Sequence, residues 1–373
     1  IVRKKVMLVF GTRPEAIKMC PLAIELKKRG GIETVICLTG QHREMLDSVM
    51  KAFCVSADYD LDIMREKQTL FDITEKILEG IRPVLEKEKP DIVLVHGDTT
   101  TAYAAALACF YLGIRVGHVE AGLRTGNLRS PFPEEFNRKS VDMLSEYAFA
   151  PTESARRNLL SEGKPEASVF VTGNTVVDAL RMTVRADYES RLLDFAKDGL
   201  LVVATLHRRE NIIGGKTEGI LRAISDVVNE NPDTRVIFPL HPGFSEEKTA
   251  EKWLCSCKRI LATPALDVVD FHNLLSRAYL VLTDSGGVQE EAATLGVPTV
   301  VLRDETERID GEKSGILTVA GTDYESVRAA FSDIIGSKSR HESMKNAVSG
   351  SCYGDGKASG RIADAIEEYL VKK

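Results

Sequence analysis

Two neighbouring stretches of the sequence, residues 96–101 and 118–138, concentrate side chains that could move protons on an anionic substrate. Their charged residues are Asp98, Glu120, Glu134, Glu135, Arg124, Arg129 and Arg138. Carboxylates that lie close together and are partly desolvated have at least one raised pKa, which gives an acid and a base near neutral pH. Ordinary ion pairing between these acids and arginines explains the composition equally well.

A binding site for a phosphate or carboxylate is predicted at residues 11–18, where a helix opens after an apolar run. Gly11 permits a close turn and Pro14 suits the first helical position. Arg13 and Lys18 add positive charge near the helix N-terminus, which itself attracts anions. A capped helix with two solvated cations is the plainer alternative.

A stronger anion-binding signal lies after the apolar run at residues 279–282. Ser285 supplies a hydroxyl, and Gly286 and Gly287 let a ligand approach the backbone N–H groups, so a diphosphate fits this turn. Glu291, one helical turn further on, could reach a ribose diol. The turn is neither a Walker loop nor a Gly-x-Gly-x-x-Gly turn, which disfavours nucleotide hydrolysis and hydride transfer.

Histidines at strand ends add possible phosphate contacts. His207 and Arg208 follow the apolar run at 200–204, and the imidazole could donate a hydrogen bond or a proton to a leaving phosphate. His96 and His241 also end strands, although an isolated histidine is structural by default. The other histidines are His42 and His118, whose roles stay open, and His272 and His341, which fit structural or exposed positions.

Short apolar runs alternate with helical segments along the chain, which predicts parallel sheets covered by helices on both faces. The predicted strands are 5–10, 34–38, 91–95, 115–119, 147–150 and 169–172, then 200–204, 234–238, 259–261, 279–282, 299–302 and 316–318. The simplest account is an α/β protein with two doubly wound domains, residues 1–174 and 175–355, and a C-terminal helix in 356–373 that packs back on the first. Such sheets bind ligands beyond the carboxyl ends of their strands, so one substrate is expected in the cleft between the domains.

Composition bounds the function further. The 373 residues are 43% hydrophobic and 28% charged with a net charge of −6, which predicts folded domains without the basic field of a nucleic-acid-binding protein. No apolar run approaches the roughly 20 residues that span a bilayer and no signal peptide is evident, so no membrane attachment is expected. The seven cysteines include no Cys-x-x-Cys pair, which predicts reduced thiols in a cytoplasmic protein and no metal site.

Six strings together resemble the non-hydrolysing UDP-N-acetylglucosamine 2-epimerases. They are GTRPEAIKM from residue 11, HGDTTT from 96, HVEAGLRTG from 118, PFPEE from 131, HRREN from 207 and TDSGGVQEE from 283. The resemblance implies a GT-B fold of two Rossmann-like domains. It also implies reversible conversion of UDP-N-acetylglucosamine to UDP-N-acetylmannosamine, by elimination of UDP to a 2-acetamidoglucal and its re-addition, without a metal or a nicotinamide cofactor.

The resemblance implies roles for individual residues. Asp98, Glu120 and Glu134 would be the acid and base carboxylates, with the assignment among them left open. His207 would lie near the diphosphate and Lys18 close to the sugar. Further substrate contacts would come from Arg13, Ser285, Gly286 and Gly287 at the phosphates, Glu291 at the ribose, Phe271 by the uracil, and His241 and Arg308.

Some positions depart from the family pattern, namely Arg129, the pair Ile212 and Ile213, and the pair Ile309 and Asp310. Many bacterial members have a second, activating UDP-N-acetylglucosamine site. Gln41, Glu135, Arg208 and His241 match parts of it, whereas Glu44 does not. Allosteric activation is therefore a hypothesis from resemblance, and so is a homodimer.

Three other functions stay open at this point. A GT-B glycosyltransferase that uses a UDP-sugar would share the fold and the phosphate turn, but it would need an acceptor site and not three acids at the sugar. A hydrolysing epimerase would release free N-acetylmannosamine and UDP. A sensor of sugar nucleotides, the non-enzyme alternative, would bind them without forming a product.

Overall fold

Runs of Val, Ile and Leu form parallel strands in both halves of the chain, in a computed structural model of the protein. The structure describes residues 3–40, 43–65, 68–208, 211, 215–240, 252–254, 257–347 and 352–371. The chain divides into two units, Ile1–Met182 with Tyr353–Lys373 and Thr183–Cys352. Each unit is built around one sheet.

The first unit contains a parallel sheet whose strands are β1 (Lys4–Phe10), β2 (Ile32–Leu38), β3 (Tyr59–Asp60), β4 (Ile92–His96), β5 (Arg115–Val119), β6 (Tyr147–Ala150) and β7 (Val169–Val171). Their spatial order is β3-β2-β1-β4-β5-β6-β7. Val6 to Phe10 of β1 are fully buried, as expected for a strand that is covered by helices on both faces. His96 pairs with Val119, so the carboxyl ends of β4 and β5 lie side by side.

The helices of the first unit follow the alternation that the sequence predicts. They are α1 (Arg13–Lys27), α2 (Arg43–Ala52), α3 (Leu70–Glu88), α4 (Thr100–Tyr111), α5 (Glu134–Leu144), α6 (Glu153–Ser161) and α7 (Thr175–Thr183). The alanine-rich α4 packs between α3 and α5, and small side chains allow this close packing. In no described helix is an apolar stretch long enough to cross a bilayer.

The second unit repeats the design. Its strands are β8 (Leu200–Thr205), β9 (Thr234–Pro239), β10 (Ile260–Thr263), β11 (Leu280–Thr283), β12 (Thr299–Val301) and β13 (Leu317–Val319). They are parallel and lie in the order β10-β9-β8-β11-β12-β13. The described helices are α8 (Arg191–Ala196), α9 (Thr217–Glu230), α10 (Val268–Leu275), α11 (Gly286–Thr294), α12 (Ile309–Ser314), α13 (Tyr324–Gly336) and α14 (Lys338–Asn346).

The last helix, α15 (Ala358–Val371), packs in the first unit against α1 and is tied to α7. The Asp178 carboxylate of α7 accepts hydrogen bonds from the N–H groups of Ala358 (3.2 Å) and Ser359 (2.9 Å) at the N-terminus of α15. Both α7 up to Met182 and α15 thus lie in the first unit, which the chain re-enters at Tyr353.

In both sheets the first and fourth strands are neighbours, β1 beside β4 and β8 beside β11. These pairs mark the point where the strand order reverses, and doubly wound sheets bind ligands there, beyond the carboxyl ends of the strands. Gly11 and Gly97 follow the two strands in the first unit, and His207 and Asp284 follow them in the second. The prediction of an α/β protein with two Rossmann-like, doubly wound domains is therefore confirmed.

Candidate active site

Asp98 lies in the turn between β4 and α4, directly after Gly97. The backbone of Gly97 has a φ of +64°, in the left-handed region that favours glycine. The Asp98 carboxylate accepts hydrogen bonds from Nε (3.1 Å) and Nη2 of Arg138, and its backbone carbonyl accepts one from the side-chain amide of Asn137 (2.9 Å). Two adjacent residues of α5 therefore fix this turn.

Glu120 follows β5 and is only 7% exposed. Its φ of +67° is uncommon for a residue other than glycine, and such conformations concentrate at functional sites. Its Oε2 atom accepts hydrogen bonds from the Lys18 ammonium group and the side-chain amide of Asn174 (2.9 Å), and lies 3.5 Å from Nε2 of His96. That ring nitrogen is buried and makes no hydrogen bond within the described part of the chain.

The third predicted acid, Glu134, is the first residue of α5 and is half-buried. Its neighbour Glu135 is fully buried and accepts hydrogen bonds from the N–H groups of Thr125 (3.1 Å) and Gly126 (3.0 Å) and from Arg138 (2.9 Å). Both oxygens of Glu135 are thus engaged within the protein, where they hold the 125–126 loop against α5. Glu135 is therefore an anchoring residue in this structure, because both of its carboxylate oxygens already accept hydrogen bonds from the protein.

The clustered arginines have separate partners, as the ion-pairing interpretation predicts. Arg138 joins Asp98 to Glu135, and Arg124 pairs with Asp142 (2.7 Å) and Glu162 (2.6 Å). Arg129, in contrast, is exposed. Ion pairing therefore accounts for contacts of two of the predicted acids, because Arg138 binds Asp98 and Lys18 binds Glu120.

The anion site predicted at Gly11 is filled by a side chain of the protein itself. Glu15, which is 1% exposed, accepts hydrogen bonds from the N–H groups of Gly11 (3.0 Å) and Thr12 (2.7 Å) and from the Thr99 hydroxyl (2.7 Å). Burial raises the pKa of this carboxyl despite these donors. The Gly11 and Thr12 amides are therefore bound by the protein itself, and Arg13 is the first residue of α1.

In the second unit, Asp284 and His207 meet at the ends of β11 and β8, which pair through Thr283 and Thr205. The buried Asp284 carboxylate accepts hydrogen bonds from the N–H groups of His207 (3.1 Å) and Arg208 (3.0 Å). The Nδ1 atom of His207 lies 3.0 Å from the same carboxylate, and the His207 side chain is 38% exposed. Burial alone would raise the pKa of Asp284, but His207 and these donors lower it below its usual value.

The N-terminus of α11 follows Asp284 and has the form of an anion-binding turn. Ser285 is the N-cap residue, and a methyl group added at Gly287 would meet no atom within 4 Å. At Gly286 an added Cβ would lie 2.8 Å from Cζ of Arg308, so this guanidinium packs directly on the first turn of the helix. Free N–H groups at a helix start beside an arginine favour a phosphate.

Charged side chains are buried beside this turn. Arg308 pairs with Glu290 (2.9 Å) and Glu307, and Glu307 also lies 2.9 Å from Arg303 and 3.8 Å from Arg208. Among the described residues, the cluster thus brings three guanidinium groups beside two carboxylates. Burial and the nearby Arg208 and Arg308 charges lower the pKa of Arg303, although the Glu307 carboxylate acts in the opposite direction.

The residues predicted to contact the nucleoside, Glu291 and Phe271, are buried. Glu291 is 5% exposed, and its Oε2 atom is buried without a hydrogen bond to any described residue. Its Oε1 atom lies 3.4 Å from Nε2 of His272, whose Nδ1 atom contacts the Thr183 hydroxyl at 2.7 Å. Phe271 belongs to the apolar core of the second unit. Gln41 and His241, two further predicted ligand contacts, lie outside the described residues.

Glu15, Asp284 and Asn174 are among the residues of these sites that the sequence analysis does not predict. Glu15 has a readable signal, because Thr12 and Glu15 have the spacing of a capping box. Asp284 stands within the TDSGG string, but nothing local shows that it contacts His207. Asn174 follows β7, and its contact with Glu120 joins residues 54 positions apart.

Comparison with known proteins gives one answer. A family model described as UDP-N-acetylglucosamine 2-epimerase matches residues 24–367. The chain is 48% identical to the UDP-N-acetylglucosamine 2-epimerase of Bacillus subtilis (strain 168) over 366 residues, which cover 98% of this chain and 95% of that protein.

Solved structures agree along the whole chain. The MnaA protein of S. aureus, solved with UDP, is 46% identical with a TM-score of 0.94 and coverage of 98% of this chain and 97% of that one. The UDP-GlcNAc 2-epimerase from Neisseria meningitidis, solved with UDP-GlcNAc bound, is 42% identical with a TM-score of 0.91 and coverage of 99% and 100%. The likeness confirms the predicted GT-B type of fold.

Proposed function

The chain belongs to the UDP-N-acetylglucosamine 2-epimerase family, and we propose that it interconverts UDP-N-acetylglucosamine and UDP-N-acetylmannosamine without hydrolysing either. The observation that carries the proposal is the pair of strand-end acids in the first unit. Asp98 and Glu120 follow strands that are direct neighbours, and each carboxylate contacts a cation. Two relatives solved with UDP or UDP-GlcNAc support the same ligands here.

The chemistry explains why both acids and a diphosphate grip are needed. The C2 hydrogen of the sugar is not acidic, since no carbonyl group stabilises the carbanion. When UDP departs from C1, the oxocarbenium character that develops there acidifies the neighbouring C2–H bond. A carboxylate then removes the proton and leaves a 2-acetamidoglucal. Protonation of C2 from the opposite face, followed by return of UDP to C1, completes the inversion.

In this proposal Asp98, Glu120 and Glu134 supply the acid and the base at the sugar. Glu120 is placed by Lys18 and Asn174, and Asp98 by Arg138 and Asn137. Asp98 and Glu120 thus have fixed orientations before substrate arrives, which removes reorganisation from the barrier. Lys18 contributes positive charge beside the sugar in addition to orienting Glu120.

The second unit would hold the nucleotide. Ser285, Gly286 and Gly287 offer a helix N-terminus to the diphosphate, Arg308 adds positive charge, and His207 stabilises or protonates the departing phosphate. Such stabilisation of the leaving group acts in the transition state, where each preorganised donor is worth about 3–4 kcal/mol. The unpaired Oε2 atom of Glu291 supports a ribose contact, since an acceptor buried without a donor needs a partner.

A homodimer is proposed as the assembly. Large apolar side chains are exposed on the helices α3, α4 and α5. Contiguous exposed apolar patches of this kind indicate a site of contact with another protein. The side chains are Phe71, Phe110, Tyr111, Phe136 and Met143. A second copy of the chain is the simplest occupant because most soluble oligomers are symmetric homodimers. Light scattering that gives the mass of one chain would contradict this.

Product analysis tests the function. The protein incubated with UDP-N-acetylglucosamine should yield UDP-N-acetylmannosamine as an intact nucleotide sugar, observed by NMR. Free N-acetylmannosamine with stoichiometric UDP would mean a hydrolysing epimerase. Transfer of the sugar to an added acceptor would mean a glycosyltransferase, and binding without any product would mean a sensor. Each of these three results contradicts the proposal.

A further inference from the structure

His118, the penultimate residue of β5, is fully buried and contacts an acceptor with each ring nitrogen. Its Nδ1 atom lies 2.6 Å from Oδ1 of Asp142, and its Nε2 atom lies 2.8 Å from the backbone oxygen of Gly97. None of the mechanistic steps above uses this side chain. Its two partners, however, belong to the elements that carry the proposed acids.

The two contacts fix the protonation state of the ring. A backbone carbonyl oxygen can only accept a hydrogen bond, and so can an ionised carboxylate. Both ring nitrogens must therefore donate, and an imidazole that donates from both nitrogens is a cation. A neutral tautomer would leave one lone pair facing another acceptor at hydrogen-bond distance.

Asp142 is ionised in this arrangement. Its Oδ2 atom accepts a hydrogen bond from the Gly122 N–H group (3.2 Å) and lies 2.7 Å from Nη2 of Arg124. Burial alone would raise the pKa of Asp142, but the contact with His118 and, independently of the charge on that ring, the Arg124 guanidinium both act to lower it. Asp142 therefore accepts from His118 and does not donate to it.

The His118–Asp142 pair spans both acid-bearing turns. On one side, His118 binds the carbonyl of Gly97, the residue before Asp98. On the other side, Asp142 binds the N–H group of Gly122, two residues after Glu120. A single charged pair thus joins the turn after β4 to the turn after β5.

The same helix holds both turns through neighbouring positions. Arg138 and Asp142 are four residues apart on α5, so their side chains lie on one face. Arg138 binds the Asp98 carboxylate and Asp142 binds His118 and the Gly122 N–H group. This face of α5 sets the relative position of the two acids.

We propose that His118 is a positioning residue that is held as an imidazolium by its two acceptors and, with Asp142, fixes the relative positions of the turns that carry Asp98 and Glu120. The inference rests on the proposed function for its catalytic consequence, whereas the charge of the ring can be tested without any substrate. A histidine that only fills the core would be neutral, and its replacement would change stability without a specific effect on turnover.

The ring charge is tested by 15N NMR of protein labelled at its histidines, with the signal of His118 assigned from the His118→Gln spectrum. Both ring nitrogens of His118 should be protonated near neutral pH. His341 is the internal reference, because its Nε2 atom also faces a carbonyl, that of Tyr279 (2.8 Å), but burial lowers its pKa. The described contacts of its ring include no hydrogen bond to a carboxylate. A neutral His118 ring in the wild-type protein would overturn the proposal.

The variant Asp142→Asn separates charge from shape. An asparagine amide can donate to Nδ1, so the contact can persist while the ring loses one proton. One protonated ring nitrogen in this variant, against two in the wild type, is the expected result. If both ring nitrogens stay protonated in Asp142→Asn, Asp142 does not set the charge of the His118 ring. That result would contradict the proposed His118–Asp142 ion pair.

Kinetics test the positioning. His118→Gln should lower kcat on the order of 10²-fold with KM within about twofold, because misplaced acids slow the chemical step while the nucleotide contacts stay in place. His341→Gln removes another buried histidine and should leave kcat unchanged. Wild-type kcat in folded His118→Gln would contradict positioning. If the wild-type protein has no epimerase activity, the proposed function is contradicted instead. The 15N NMR measurement would still show whether the His118 ring is charged.

Discussion

The Nδ1 atom of His207 lies 3.0 Å from Oδ1 of Asp284, and the two residues follow strands that are neighbours in the second sheet. The Asp284 carboxylate also accepts a hydrogen bond from the backbone N–H group of His207. Asp284 therefore fixes both the backbone and the ring of the histidine. A carboxylate on Nδ1 keeps a proton there, which directs Nε2 to any further partner. This pairing makes His207 suitable for contact with a leaving phosphate.

Asp284→Asn should therefore impair turnover more than binding. An amide does not hold the ring as a carboxylate does, and it stabilises a protonated imidazole less. We expect kcat to fall on the order of 10²-fold with little change in UDP affinity, measured by steady-state kinetics and calorimetry. Asp333→Asn is the matched control, since Asp333 is an exposed carboxylate paired with Arg340 in the same unit. Equal kcat for both variants would contradict the role of Asp284.

Gly287→Ala should weaken UDP binding without weakening the fold. An added Cβ at Gly287 meets no atom within 4 Å, and alanine favours a helix more than glycine does, so the stability should stay within about 0.5 kcal/mol or rise. A diphosphate at the helix start would be crowded, which should lower its affinity by about tenfold, or ~1.4 kcal/mol. Calorimetry with UDP and thermal unfolding measure the two effects. Unchanged UDP affinity in Gly287→Ala would contradict the proposal that the diphosphate binds at this turn.

Gly286→Ala is the companion variant. Its Cβ would lie 2.8 Å from Cζ of Arg308, the end of a flexible side chain, so the guanidinium must shift. UDP affinity should fall here because Arg308 moves, and the buried pair with Glu290 should weaken as well. A loss of stability at residue 286 but not at residue 287 is the expected contrast.

Glu15 should respond differently to two substitutions. Glu15→Ala leaves the buried Gly11 and Thr12 N–H groups without their acceptor, which should lower the free energy of unfolding by about 1–3 kcal/mol. Glu15→Gln keeps an acceptor for these groups and gains a donor for Thr99. Urea unfolding measures both, and equal stability of the two variants would contradict the anchoring role.

The pH dependence of Glu15 follows from its raised pKa. The folded protein binds this proton more tightly than the unfolded chain, whose carboxyl has its ordinary value of 4.5. The resulting stabilisation is complete below that value and is lost as the pH rises through the folded-state pKa. Because glutamine does not titrate, Glu15→Gln should gain stability relative to wild type as the pH rises above 4.5.

Lys18 and Glu120 form a buried pair, so their substitutions should not be additive. Lys18→Met removes the ammonium group that contacts the buried Glu120 carboxylate and should cost about 3–5 kcal/mol of unfolding free energy. Adding Glu120→Gln removes that charge and should restore most of the loss. A double-mutant cycle from urea unfolding gives the coupling. Additive losses would mean that the two groups do not interact.

The two sheets, and the position of Asp98 and Glu120 at the same sheet edge, could be predicted from the sequence because both depend on local patterns. Alternating apolar runs predict the strands, and parallel strands bring Asp98 and Glu120 to one edge. The strand Tyr59–Asp60 was not predicted, since two residues are too few to show a pattern. Its pairing with β2 depends on the sheet already present.

The contacts that orient the acids could not be predicted in the same way. Arg138 could be grouped with the acids, but its choice of Asp98 depends on how α5 lies beside β4, which no local pattern encodes. The same holds for Asn174 with Glu120 and for Asp284 with His207. The capping box formed by Thr12 and Glu15 was readable, and it corrects the anion site predicted at Gly11.

The central claim is that strand-end carboxylates exchange the C2 proton of an intact UDP-sugar. The most direct test is the reaction in deuterated water, with NMR of the nucleotide sugars formed by wild type, Asp98→Asn and Glu120→Gln. We predict one solvent deuterium at C2 of the product with wild type, and no exchange with the two variants although both still bind UDP. Product that keeps the original C2 hydrogen, or full exchange by both variants, would contradict the account.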